Sequence, residues 1–171
     1  MIEEVSFVLF EFCFETEMLI YCEDNLLKVW NGKAERQCTI KLSIPTGHPL
    51  ALSSCNGITA VASTSGAVHI FGINFNLIKS LEIWRLLGSF YKNIAEGTPQ
   101  DFSSHSFPVF DVHLFSMKFE ENESKYFPPV TYMLAITSTC ALIVNINNED
   151  VKFVYNFTVQ CSVCSEVVCL H

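Results

Sequence analysis

The chain reads as all-β: about three four-stranded antiparallel blades of a partial or truncated β-propeller, with one short helical insertion. Three observations predict this. Residues 21–30, 62–71 and 136–145 each run as a strand end, a tight polar turn and an alternating apolar strand. Their starts lie 41 and 74 residues apart, so one blade-length period is followed by the same period enlarged by an insertion of about 33 residues. Between them, Asn31-Gly32, Asn56-Gly57 and Ser65-Gly66 punctuate β-branched and aromatic runs at the spacing of a meander. We read residues 1–171 as one domain with the insertion at about 84–108.

Residues 5–12 are aromatic and β-branched, and 17–22 and 26–30 follow as strands around an Asp24-Asn25 turn. Asn31-Gly32 has the pair best able to take positive φ at both centres of a type I′ turn, so 33–42 returns as an outer strand. There Cys38, Ile40 and Leu42 alternate with Gln37, Thr39 and Lys41. After the break at 45–49, residues 50–55, 58–64 and 67–73 read as three strands. No Asp, Glu, Lys or Arg occurs from 42 to 78, which predicts a sheet covered on both faces.

Between 80 and 97 the period changes. Leu81, Trp84, Leu87, Tyr91 and Ile94 recur at helical steps, although 77–83 also fits an outer strand. Residues 97–108 read as loop. Strands resume at 109–119, 130–137, 140–146, 151–159 and 161–170, giving three four-stranded units with about a strand to spare. Propellers close with about four to eight blades, so the array predicts either completion by another chain, a fragment or an open stack.

Half of the 171 residues are apolar, 15 are Phe and only 16% are charged, which excludes disorder. So low a charge content also predicts that the chain leans on further protein. With 18 acidic against 10 basic residues, a net charge of −8 and no basic cluster, nucleic acid and anionic lipid are disfavoured as partners. The start, Met-Ile-Glu-Glu-Val, lacks the cationic region of a signal peptide, so the expected location is cytoplasmic. The eight cysteines then read as buried thiols, and the sequons at Asn122 and Asn156 mean little. Residues 129–148 are uncharged over about the ~20 residues of a membrane span, but Thr131, Thr137, Ser138, Thr139 and Asn145 interrupt them. Two strands fit better, and no direct membrane insertion is expected.

Chemistry-bearing constellations are few. Cys161 and Cys164, with Cys169 and His171, are residue types that bind zinc, yet the cysteines of an extended Cys161-Ser-Val-Cys164 point to opposite faces and the two pairs lie too close in sequence. Core cysteines are the expectation. Asp111 and His113 share one strand face, which suits a structural hydrogen bond; no nucleophile elbow accompanies them. His48 reads as a turn residue and His69 as a packed one. Gly66, Gly72 and Gly88 form no phosphate loop, and residues 120–123 resemble a calcium loop only in charge. Trp84, Phe90 and Tyr91 are the candidate protein-binding residues, because a helix carried outside a sheet has two apolar sides and only one can face its own blade.

Gly47-His48 followed by Phe71-Gly72 resembles a decayed WD repeat, and Val29-Trp30-Asn31 resembles the end of the blade before it. In that family a His, a Ser or Thr, an Asp and a Trp share hydrogen bonds that lock each blade. Here only His48, Asp24 and Trp30 hold matching positions, and never together in one repeat. Residues 57–71 and 134–147 are also similar in order to the amino-terminal propeller region of the spatacsin family, large trafficking proteins of the lysosomal pathway. These resemblances imply a non-catalytic scaffold that binds other proteins of a larger complex, without cofactor, in intracellular trafficking. The alternatives are a small zinc-stabilised β domain and a hydrolase using Asp111 and His113, with His48.

Overall fold

A computed structural model describes residues 9–13, 18–23, 26–31, 36–41, 47–94, 108–117 and 130–157. The first sheet comprises Leu9–Cys13 (β1), Met18–Glu23 (β2), Leu26–Asn31 (β3) and Arg36–Lys41 (β4). Pro49–Cys55 (β5), Ile58–Ser63 (β6), Ala67–Phe71 (β7) and Leu77–Glu82 (β8) form the second. Helix Ile83–Ile94 (α1) follows directly, and Val109–Met117 (β9), Val130–Thr137 (β10), Cys140–Asn145 (β11) and Asp150–Asn156 (β12) form the third. Each sheet is an antiparallel meander in chain order.

Local chemistry sets the hairpins. Asn56 and Gly57 have φ of 52° and 71°, the positive pair a type I′ turn requires. Ser63 Oγ donates to the carbonyl of Ala67 across the next turn at 3.0 Å, and Thr137 Oγ1 does the same to Cys140 at 3.0 Å. A hydroxyl at the strand end therefore closes both hairpins.

β1 lies beside β5, and β5 beside β9, so the first strand of each sheet is innermost. The second sheet is sandwiched. Val61 and Phe71 pack with Ile20, Cys22 and Leu27 of the first sheet. From the opposite face Ala60, Ala62, Val68 and Ile70 pack with Val112, Met133, Leu142 and Val144 of the third. Every residue of β7, and of β6 all but the first, is buried, as the missing charges of 42–78 predict. Within the uncharged stretch 129–148, Val130–Thr137 is β10 and Cys140–Asn145 is β11; no helix among the described residues is long and apolar enough to cross a membrane.

The insertion starts as a helix that lies against both β8 and β12. Both readings are realised in succession over 77–94, β8 and then α1. The inward side overlaps the expected stripe in part: Leu87 and Tyr91 face the core as expected, Leu81 belongs to β8, and Ile83 and Leu86 are buried where Trp84 was expected. The strand expected at 161–170 and the loop at 97–107 lie outside the described residues.

Candidate interaction surfaces

On α1, Trp84 is half-buried, with the Arg85 guanidinium 5.1 Å from its ring centroid. Phe90 meets Tyr91 edge to face at 5.6 Å. Tyr91 packs on the core between the second and third sheets, and its hydroxyl donates to Asn156 Oδ1 of β12 at 3.0 Å. The three expected contact residues thus divide. Tyr91 holds the helix down, while Trp84 and Phe90 keep part of their area for solvent.

The two end sheets carry larger apolar areas, on segments that the sequence reading gave only as strands. On β1, Phe10 and Phe12 are 72% and 44% exposed, and Trp30 of β3 is 48% exposed. Cross-strand pairing places Phe10 opposite Tyr21 and Phe12 opposite Leu19, and Leu19 opposite Trp30, so these form one face. The third sheet's outer face bears Phe153 and Tyr155, 53% and 57% exposed, beside the half-buried Leu134, Ile136 and Ile143. The alternation of aromatics in 9–13 and 150–156 was the available signal, since a solvated face normally alternates with polar residues.

Asp111 and His113 stand on that third-sheet face, Asp111 Oδ2 3.1 Å from His113 Nε2. Both are open to solvent, and Asp111 Oδ1 accepts from the Val112 N–H at 2.8 Å. His69 is buried, its Nδ1 2.9 Å from Ser80 Oγ, and burial lowers its pKa. His48 is exposed; its N–H donates to Thr64 Oγ1 at 2.8 Å, which ties the turn before β5 to the β6–β7 turn through main chain, not through the imidazole. The three histidines do not converge on a common acidic or nucleophilic group. Trp30 is exposed and Asp24 lies outside the described residues, as do Cys161, Cys164, Cys169, His171 and residues 120–123. Among the described residues no cluster of His, Cys, Asp or Glu is arranged to hold a metal ion.

Polar contacts also stitch the sheets together. Glu11 Oε1 of β1 accepts from the Ser54 N–H of β5 at 3.3 Å, and Ser53 Oγ accepts from the Leu114 N–H of β9 at 2.9 Å. Farther out, Lys79 Nζ of β8 donates to the Ile146 carbonyl at 2.7 Å and pairs with Glu149 at 3.2 Å.

Three meanders stacked through their innermost strands match solved structures of radial sheet arrays. Raptor of Chaetomium thermophilum superposes over 90% of this chain and 12% of its own, with a TM-score of 0.59 and 12% identity. A structure of BBS1N in complex with ARL6DN gives a TM-score of 0.54 at 12% identity, over 82% of this chain and 36% of that one. The Neurospora crassa Pan2 WD40 domain gives 0.51 at 12% identity, over 85% and 34%. The fold is that of a partial β-propeller. At such identities the likeness concerns the fold alone. This partial propeller spans between 12% and 36% of those three chains. No family model matches the sequence, and no curated protein matches it significantly.

Proposed function

We propose that this partial propeller is a non-catalytic scaffold for other proteins, operating in intracellular membrane trafficking. The observation that carries the reading is the helix α1 attached to the rim of a propeller fold, with Trp84 and Phe90 left partly open beside Arg85. Aromatic residues flanked by an arginine are the composition of binding hot spots. A net charge of −8 argues against a polyanionic partner. The resemblance of 57–71 and 134–147 to spatacsin-type propellers supports the trafficking assignment, and one propeller neighbour is a protein complex in its own right, that of BBS1N with ARL6DN.

The test is quantitative affinity capture from cells with the wild-type chain and a Trp84→Ser/Phe90→Ser variant that retains its circular dichroism. Expected is a set of proteins of endosomal or lysosomal membranes that the variant loses. An identical set of captured proteins would remove α1 as the contact surface, and one without any trafficking protein would remove the pathway.

A further inference from the structure

Two side-chain bonds between innermost strands follow one rule. Glu11 pairs across its hairpin with Ile20, Ser53 with Ala60 and His113 with Leu134. Ile20, Ala60 and Leu134 each lie three residues before the strand end that opens the next turn, at Glu23, Ser63 and Thr137. Glu11, Ser53 and His113 therefore hold the same place in three successive sheets. From that place Glu11 and Ser53 each accept the main-chain N–H of the residue one step past it in the next sheet, Ser54 and Leu114.

His113 is the third of the series, on the outer face of the third sheet. The carboxylate of Asp111 only accepts, so the contact at 3.1 Å puts the proton of the neutral ring on Nε2 and leaves Nδ1 an acceptor. Leu134, Ile143 and Phe153 continue the row of His113 across the sheet, and Ile136 and Tyr155 stand in the row beside it. The face is apolar around one aimed acceptor.

The sequence supplies a strand at the distance this face requires. Lys41 of β4 and Asn156 of β12 hold matching places, paired with Leu26 and Cys140, each the third residue after its strand end at Glu23 or Thr137. Ser53 follows Lys41 by twelve residues, and the same count from Asn156 reaches Val168. Residues 164–170 then correspond to β5, and 157–163 to the connection 42–48 before it. In that register Val167 and Cys169 turn to the third sheet, as Leu52 of β5 turns to the first and Val112 and Leu114 of β9 to the second. Glu166, the one charged residue of 164–170, falls on the opposite side.

We propose that residues 164–170 of this chain form the innermost strand of a further sheet, seated on the outer face of the third with the Cys169 N–H donating to His113 Nδ1. Asp111 is the positioning group that gives His113 the polarity the series requires. The occupant is this segment because chain length, apolar alternation and the bond series select the same residues. The arrangement turns Cys164 and Cys169 to opposite sides, which parts them as metal ligands. It is separate from the α1 surface of the proposed scaffold, so either can fail alone.

Cysteine trapping in the 171-residue chain tests it. His113→Cys, at an exposed position, would face Cys169 within the roughly 4–7 Å between Cα atoms that a disulfide spans. Expected after diamide oxidation of dilute protein is an intramolecular link from position 113 to Cys169 by peptide mapping, with circular dichroism unchanged. In the chain that keeps His113, hydrogen exchange should find the Cys169 amide protected; His113→Leu should speed its exchange about tenfold, and His113→Asn, which keeps an acceptor, should not. A link from position 113 to Cys161 or Cys164, a link between two molecules, no link at all, or a Cys169 amide indifferent to His113→Leu would each overturn the proposal.

Discussion

At Gly47 the backbone has φ of +107°, and a Cβ built there lies 2.7 Å from both Ser65 N and Thr64 Oγ1. A side chain meets an unfavourable backbone region and a rigid neighbour together, so Gly47→Ala should cost about 1–3 kcal/mol in thermal or chemical denaturation. His69 is governed by burial in the opposite sense from a surface imidazole. Its folded pKa lies below the ordinary 6.5, so the unfolded chain binds the proton more readily. The stability it contributes is full above that value and falls as pH drops through it toward the folded pKa. A His69→Gln variant should lack this acid-side loss in a pH series of melts. Burial likewise pushes the Cys22 thiol up to about 11. Native protein at mild alkaline pH should leave Cys22 unalkylated by iodoacetamide, with modification by mass spectrometry appearing only in denaturant. The Asn56-Gly57 turn was legible from two residues because its φ requirement is local. Gly47 was not, because its restriction comes from Thr64 and Ser65, which arrive through the folded sheet.

Elements show the same divide between local and long-range causes. Eleven of the twelve described strands were readable because alternation and turn dipeptides are short-range signals, β8 standing only as the alternative to a helix, and the hydroxyl-closed turns at Ser63 and Thr137 lie where the repeat places them. The repeat itself is offset by a residue. Cross-strand pairs Cys22 with Leu27, Ala62 with Val68 and Ile136 with Ala141 show that the second hairpin turn is one residue longer, which a gapless comparison cannot register. In the insertion, a helical period counted from Leu81 crossed a strand–helix junction and rotated the expected inward face toward Trp84. The buried Ile83 and Leu86 correct it, while Leu87 was in the stripe already. Leu87→Ala should accordingly cost about 2–4 kcal/mol, and Trp84→Ala less than about 1 kcal/mol, by denaturant titration. Equal losses would mean that the helix packs through the other side.

For the whole molecule, the second sheet is where stability concentrates, because it alone among the three is packed on both faces by described sheets. The aromatic faces at either end were only half legible: alternation marks one side of each strand as aromatic, but an outward Phe and an inward Phe obey the same alternation, and only the stacking order tells which side lies outside. In a stack of units held by nearest-neighbour contacts, opening at an end breaks one interface, whereas opening the middle breaks two. Native-state hydrogen exchange should therefore rank the amides of β6 and β7 as slowest, with those of β1 to β3 exchanging through an opening of lower free energy. Leu27→Ala, at the interface of the first and second sheets, should accelerate exchange in the first sheet while leaving β10 and β11 nearly unchanged. Ile70→Ala, at the interface of the second and third, should speed exchange on both sides of that contact. Uniform acceleration everywhere by Leu27→Ala would show instead that the three sheets unfold as one cooperative unit.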